Sequence, residues 1–182
     1  MKIRFHPFDT LPLHVVGKCP EPEWPAEKLS DVWWLFNDVL REFEDHHRVY
    51  THAFVLMRNH YHWICNYADF RCKGRDVFSW FHEALTFDFE SSPVFEGPPN
   101  VSEIEHIKAY HNVYAYVYRN PVDAGIVDRA ELYPFSTLPY VLGRCGRRKL
   151  RFTCYDNMNL IFNPQATLDL INFGCPAHAM PR

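Results

Sequence analysis

Residues 50–65, YTHAFVLMRNHYHWIC, give the strongest indication of the fold in the sequence. Two runs rich in β-branched and aromatic residues, Tyr50 to Met57 and His60 to Cys65, stand on either side of Arg58 and Asn59. A gap of two residues that includes Asn, which tolerates a positive φ, is typical of a tight β-hairpin. The pattern therefore predicts two neighbouring antiparallel strands.

The segments around the hairpin supply the other elements. Upstream, Leu13 to Val16 is a short β-prone run, and the apolar residues between Ala26 and His47 recur at the spacing of an amphipathic helix. Downstream, the same spacing predicts a second helix from Val77 to Phe87. The order strand, helix, hairpin, helix predicts an α+β fold of the ferredoxin-like, split β-α-β type, in which an antiparallel sheet carries helices on one face.

The region after the second helix is predicted to hold a third helix. It is expected to begin at the capping-box pattern of Ser102 and Glu105, and Pro121 and Gly125 are expected to end it. The fold also requires a fourth strand. We expect it near Ile126 or in the C-terminal tail.

The composition narrows the functional classes. The chain has 182 residues, a formal net charge of −3 and 47% hydrophobic residues, which fits one globular domain and excludes a generally basic nucleic-acid coat. No apolar run has the length of a signal-peptide core or of a membrane span. The six cysteines are scattered without a C-x-x-C pair. We expect a soluble cytoplasmic protein that has no membrane partner.

The second hairpin strand carries two histidines with the spacing of metal ligands. Because side chains alternate along a strand, His60 and His62 share one face, while Tyr61 and Trp63 point to the other and are predicted to pack. Two imidazoles on one face can chelate a metal ion. The spacing also fits two unrelated sheet histidines. His14, on the first strand, is interpreted as an ordinary sheet histidine that can neighbour this face.

The third helix carries a polar pair outside its apolar stripe. At about 100° per residue, Tyr116 falls far from the centre of that stripe, and Asn120 lies one turn further on the same face. A phenol can attack phosphorus, and an amide oxygen can complete the ligand set of a metal ion beside two histidines, so this constellation suits phosphoryl transfer. An exposed tyrosine above an asparagine at the helix end is the alternative.

Two segments together resemble a known family. HAFVLMRNHYHWI at residues 52–64 and YVYRNPVDAGIV at residues 116–127 are similar to the REP-associated tyrosine transposases, a branch of the single-tyrosine HUH (insertion-sequence) transposases that act on single-stranded DNA. The resemblance spans roughly residues 11–140 and implies a ferredoxin-like fold. We therefore expect residues 1–140 to form a catalytic domain, and residues 141–182 a basic C-terminal extension or tail.

The resemblance implies roles for four residues of the two motifs. His60, His62 and Asn120 match the ligands of a divalent metal ion, Mg²⁺ or Mn²⁺. Tyr116 matches the nucleophile, which cleaves single-stranded DNA to leave a 5′-phosphotyrosine and a free 3′-OH, and the reverse step rejoins strands. The implied partner is single-stranded or hairpin DNA. The protein is expected to be a monomer or a homodimer that exchanges the tyrosine helix.

Local basic clusters are the expected contacts to DNA, since the whole chain is slightly acidic. Each of these residues also fits an ordinary solvated surface charge. The candidate DNA-contacting residues are Arg58, Arg71, Lys73, Arg75, Arg144, Arg147, Arg148, Lys149 and Arg151.

One departure from the family keeps other functions open. Its members commonly carry a basic stretch between the second and third helices, whereas residues 87–99 of this chain contain Asp and Glu instead. A domesticated relative that binds hairpin or single-stranded DNA without cleaving it is the main alternative. A small metal-dependent hydrolase that uses His60 and His62 with a bound water is another, and it predicts that Tyr116→Phe leaves turnover intact.

Overall fold

The computed structural model describes residues 10–20, 24, 28–69, 76–89, 94–155 and 164–173. The strands are β1 Leu13–Lys18, β2 Val49–Leu56, β3 His60–Tyr67 and β4 Asn100–Glu103. The helices are α1 Leu29–His47, α2 Asp76–Asp88, α3 Ile107–Asp123, α4 Leu138–Val141 and α5 Pro164–Phe173, with a short 3-10 helix at Ala130–Leu132. The predicted hairpin is confirmed as β2 and β3, which pair antiparallel around Arg58 and Asn59.

The four strands form one antiparallel sheet in the order β2-β3-β1-β4. Together with the crossover helices α1 and α2, this is the predicted ferredoxin-like α+β arrangement, which is confirmed. The register between β1 and β3 sets Lys18 opposite His60 and Val16 opposite His62. The two histidines therefore lie on β3, one of the two central strands of the sheet.

Both faces of the sheet are covered. On one face, α1 and α2 pack against alternate strand residues such as Phe54 and Trp63, as the sequence predicted for these two helices. On the other face, α3 and α5 pack against the intervening residues Val55 and Ile64. The apolar stripe of α3 needs a partner surface, and strands that are buried on both sides provide one. The structure thus adds a third layer, which carries α3, to the predicted sandwich.

The fourth strand lies where the sequence predicted a loop and a helix start. Val101 of β4 pairs with Val15 of β1, so the prediction of a strand near Ile126 is wrong: Ile126 is exposed beyond the end of α3. The predicted capping box is wrong as well, because α3 begins at Ile107 and no side chain caps it. A strand of four residues has little periodicity of its own, and only its pairing with the edge of β1 defines it.

Helix α3 passes through Pro121 instead of ending before it. Pro121 cannot donate to the carbonyl of Val117, which the side-chain amide of Asn120 approaches at 3.5 Å. The helix ends at Asp123, and Gly125 two residues later has a φ of +68°, which allows a Schellman motif. In that motif Gly125 N–H donates to Val122 O at 2.9 Å, and Ile126 N–H to Pro121 O at 2.9 Å.

The described part of residues 141–182 packs on the same fold. Phe152 joins the core on the α1 side, and Tyr155 N–H donates to Thr51 O of β2 at 2.7 Å. Helix α5 inserts Leu168 and Ile171 into the core under α3. No helix in the described part of the chain is long and apolar enough to cross a membrane.

Candidate active site

Strand β3 presents two histidines to the α3 face of the sheet. The rings of His60 and His62 lie 5.2 Å apart between centroids and nearly perpendicular to each other. Tyr61 and Trp63 point the opposite way, as predicted, and are fully buried. Their polar atoms are satisfied there: the Tyr61 hydroxyl bonds His82 Nε2 at 2.9 Å, and Trp63 Nε1 donates to Thr51 Oγ1 at 2.9 Å.

Helix α3 brings Tyr116 to this pair. The helix buries its stripe of Tyr110, Tyr114 and Tyr118 against the sheet and leaves Tyr116 44% exposed. The Tyr116 ring meets the His62 ring edge-on, with 5.4 Å between centroids. The tyrosine and the histidines therefore come together within a single chain.

Asn120 lies one helical turn after Tyr116. Its side-chain Nδ2 donates to the carbonyl of Tyr116 at 2.9 Å, which directs the amide oxygen away from the helix backbone. Asn120 also lies close enough to His62 to oppose the lowering of the pKa of that imidazole. The amide thus lies between α3 and β3 at the histidine pair.

A third imidazole joins the group. His14 Nε2 lies 3.1 Å from His62 Nδ1, and the two rings stack at 5.3 Å between centroids. His14 also approaches Tyr116 edge-on at 6.4 Å. The sequence indicated an ordinary sheet histidine that can neighbour this face, and the strand register makes His14 and His62 diagonal neighbours on it.

Burial keeps these imidazoles neutral. It lowers the pKa of His14 to about 4. Burial also lowers the pKa of His62 to about 3, with further lowering by His14 and His60 that outweighs the opposing effect of Asn120. The pKa of His60 is lowered by burial and by the nearby cation of Lys18. Like His14, Lys18 neighbours the site but was not among the site residues predicted from the sequence.

The donor set fits a divalent metal ion. Neutral imidazoles have the lone pair that a metal ligand needs, and an amide oxygen supplies a harder donor. The Nδ1 atom of His62 is hydrogen-bonded to His14, and that of His60 to Asn59 Oδ1 at 3.0 Å. In each ring the other nitrogen, Nε2, is then the atom that can bind a metal ion. Among the described residues, no three His, Cys, Asp or Glu side chains group as a metal site. The candidate ligand set therefore consists of the imidazoles of His60 and His62 and the side-chain amide of Asn120.

The candidate DNA-contacting residues are dispersed. Arg58 is exposed in the hairpin turn beside His60. Arg144 forms an ion pair with Glu131 at 3.6 Å, and Arg151 pairs with Asp38 and lies over the Trp34 ring. Arg147, Arg148 and Lys149 are exposed. The remaining candidates, Arg71, Lys73 and Arg75, lie outside the described residues.

This chain is similar to a known protein in its three-dimensional structure. No protein-family model and no curated protein sequence matches the chain. Its fold is similar to that of a class of DNA-processing proteins, the tyrosine transposases. The solved structure concerned is a REP-associated tyrosine transposase bound to a REP hairpin, with a TM-score of 0.65 and 16% identity over 85% of this chain and 92% of that chain. At this identity the likeness shows the fold, and it agrees with the resemblance drawn from the two motifs.

Proposed function

We propose that this chain cleaves and rejoins single-stranded DNA through a covalent 5′-phosphotyrosine on Tyr116, with the help of a divalent metal ion. The observation that carries the proposal is the contact between Tyr116 and His62, 5.4 Å between ring centroids, on the same face as His60 and Asn120. The fold shared with a REP-associated tyrosine transposase supports it.

The residues that would hold the ion are His60, His62 and Asn120. A bound Mg²⁺ or Mn²⁺ would supply Lewis-acid polarisation of the scissile phosphate and offset charge that develops on its oxygens. Burial favours this role, because it keeps both histidines in the neutral form that binds metal. His14 and Asn59 fix the ring orientations.

The phosphoryl transfer itself belongs to Tyr116. Its phenolic oxygen forms a bond to phosphorus while the bond from phosphorus to the 3′ oxygen breaks; the phenol loses its proton, and the departing oxygen gains one to become a 3′-OH. One phosphodiester replaces another, so attack by a second 3′-OH rejoins strands without an external energy source. The 44% exposure of Tyr116 leaves the ring accessible to a strand that lies along α3.

The partner we propose is single-stranded or hairpin DNA. The structural neighbour is bound to a REP hairpin, and Arg58 stands beside the histidine pair with an exposed side chain. Phosphate contacts by such residues would make binding weaken as salt rises.

The direct test is formation of a covalent adduct. The full chain is incubated with Mn²⁺ and an oligonucleotide that carries a hairpin and single-stranded flanks, and the adduct is resolved on a denaturing gel. Tyr116→Phe should abolish it, because phenylalanine has no nucleophilic oxygen. Tyr155→Phe is the matched control: it also removes a phenolic hydroxyl, but one that bonds Glu44 Oε1 at 3.2 Å, outside the group around Tyr116.

An adduct of equal yield from wild type and Tyr116→Phe contradicts the proposed mechanism. The alternative function is hairpin or single-stranded DNA binding without cleavage. The observation that favours it is that an acidic side chain, Glu96, pairs with Lys18 at 3.3 Å next to the histidine pair. Salt-dependent hairpin binding with no adduct under Mg²⁺ or Mn²⁺ would decide for this alternative.

A further inference from the structure

A second concave site lies between α1 and the basic segment that follows α4. It is a cavity of about 470 Å³, within the size range of pockets that hold small organic ligands. α1 and α3 cover opposite faces of the sheet, so this cavity is distinct from the group around Tyr116. The side chains that matter to its chemistry are Trp33, Trp34, Tyr140, Arg144, Arg148 and Glu131.

The wall of the cavity is aromatic. Trp33 and Tyr140 stack at 6.0 Å between ring centroids and 24° between planes. Trp33 is only 2% exposed, whereas the rings of Trp34 and Tyr140 are partly exposed at the cavity. The cavity therefore offers flat surfaces for stacking.

The charges around the cavity leave one arginine for a ligand. The carboxylate of Glu131 is almost fully buried and is neutralised by Arg129 at 2.7 Å and by Arg144 at 3.6 Å. It also accepts a hydrogen bond from Asn172 Nδ2 at 3.0 Å. Arg148 is exposed at the cavity, and no carboxylate in the described part of the chain pairs with it. An anionic group entering the cavity would meet the guanidinium of Arg148 without displacing an existing ion pair.

We infer that this cavity binds an unpaired nucleotide, with its base against the aromatic wall and its phosphate on Arg148. Aromatic side chains stack on any base, and a guanidinium matches the geometry of a phosphate. The nucleotide can be free or part of DNA. That it belongs to the single-stranded flank of a hairpin rests on the proposed function.

The test compares binding of two fluorescent hairpins, one blunt and one with a four-nucleotide single-stranded extension, measured by anisotropy in EDTA so that no metal-dependent cleavage occurs. Arg148→Gln should weaken binding of the extended hairpin about tenfold and leave the blunt one nearly unchanged, because it removes a charge-assisted bond to one phosphate. Arg147→Gln is the matched control. It removes the same charge from an exposed neighbour that does not line the cavity, so it should affect both hairpins alike.

Two further experiments locate the bound nucleotide and show whether it is a free nucleotide or part of DNA. An extension that contains 5-iodouracil should crosslink to Trp34 or Tyr140, as mapped by mass spectrometry. Titration with dAMP alone asks whether a free nucleotide binds: saturable, Arg148-dependent binding of dAMP without preference for the extended hairpin would assign the site to free nucleotides. Equal effects of the two arginine variants, or crosslinks only elsewhere together with no dAMP binding, would overturn the inference. Since binding is measured without the covalent step, absence of a Tyr116 adduct would count against the proposed function alone.

Discussion

The protonation of His14 is coupled to that of His62, its neighbour on the adjacent strand. Its Nε2 faces His62 Nδ1 at 3.1 Å, and burial keeps both rings neutral, so one proton is shared between the two nitrogens. When that proton resides on His62 Nδ1, the lone pair of His62 lies on Nε2, where a metal ion can use it. A partner of this kind orients a ligand and raises its basicity.

We predict that His14→Phe weakens Mn²⁺ binding by about tenfold or more, because it removes the partner that fixes the His62 ring while keeping an aromatic ring of similar size. The affinity is measured by the loss of the free Mn²⁺ signal in electron paramagnetic resonance. His46→Phe, at an exposed position near the end of α1, is the control and should bind as the wild type does. Unchanged affinity in His14→Phe would mean that this histidine only packs.

At the scale of elements, the contact between β1, β3 and α2 depends on Gly17. A Cβ on Gly17 would lie 2.5 Å from His82 Nε2 and closer still to the Tyr61 ring. These two side chains are held in place, since they bond each other at 2.9 Å and His82 Nδ1 bonds Gly97 O at 3.0 Å. The Phe95 ring stacks on His82 at 3.6 Å and closes the remaining space.

Gly17→Ala should therefore lower the free energy of unfolding by about 1 to 3 kcal/mol, the usual cost of overpacking a core. The measurement is the midpoint of urea denaturation. Gly146→Ala serves as a comparison, because a Cβ there meets nothing within 4 Å and the cost, about 1 kcal/mol, comes from its φ of +60° alone. A smaller loss for Gly17→Ala than for Gly146→Ala would show that the contact relaxes easily.

Helix α3 shows how an element can serve packing and chemistry together. Its stripe of tyrosines is buried, and the Tyr118 hydroxyl is tied to Thr137 at 2.7 Å, which fixes the rotation of the helix on the sheet. That rotation turns Tyr116 toward His62. Asn120 Nδ2 donates to the carbonyl of Tyr116 and so fixes the last turn before Pro121. The tyrosine is therefore oriented both by a neighbour within the candidate site and by a contact outside it, that of Tyr118 with Thr137.

For the whole molecule, we predict that Tyr116 acts on a strand bound to the histidines of its own chain. The 5.4 Å contact between Tyr116 and His62 is made within one chain. A mixture of Tyr116→Phe and His62→Ala, co-expressed to allow exchange of α3, should form no covalent adduct above background. Recovery of the adduct would show that the protein works as a homodimer that exchanges the tyrosine helix.

The fold as a whole should be sensitive to mild acid. Burial lowers the pKa of His14 and His82 to about 4 and that of His52 and His62 to about 3. Because these values lie below the ordinary value of 6.5, the unfolded chain takes up protons that the folded chain does not, and stability falls as pH decreases from about 6.5 toward 4.

With nearly four protons taken up on unfolding near pH 5, the free energy of unfolding should fall by about 5 kcal/mol per pH unit there. Urea denaturation in EDTA at a series of pH values measures this slope. Replacing the exposed His46 with Gln should leave the slope unchanged, whereas His82→Gln should make it shallower by one proton. A free energy of unfolding that stays constant from pH 7 to pH 5 would contradict the prediction.

The periodic spacing of apolar residues was enough to predict the longer helices and strands, in which that spacing repeats many times. The hairpin, α1 and α2 were predicted close to their observed bounds, because alternation and helical spacing persist along each. β4 was missed, since Asn100–Glu103 is too short to show a period and exists as a strand only through its pairing with β1. The end of α3 was predicted too early, because Pro121 is accommodated by an asparagine amide and a glycine-based cap.

Short-range periodicity in the sequence was sufficient to predict the order strand, helix, hairpin, helix and to place His60 and His62 on one face of a strand. It also indicated Tyr116 and Asn120 as a polar pair off the apolar stripe of α3. Long-range packing was needed to show that this pair meets the histidines within one chain, that His14 joins them, and that two arginines of the basic run are engaged by Glu131 and Asp38. Strand register and helix rotation are set by contacts between residues far apart in the chain, which no local pattern encodes.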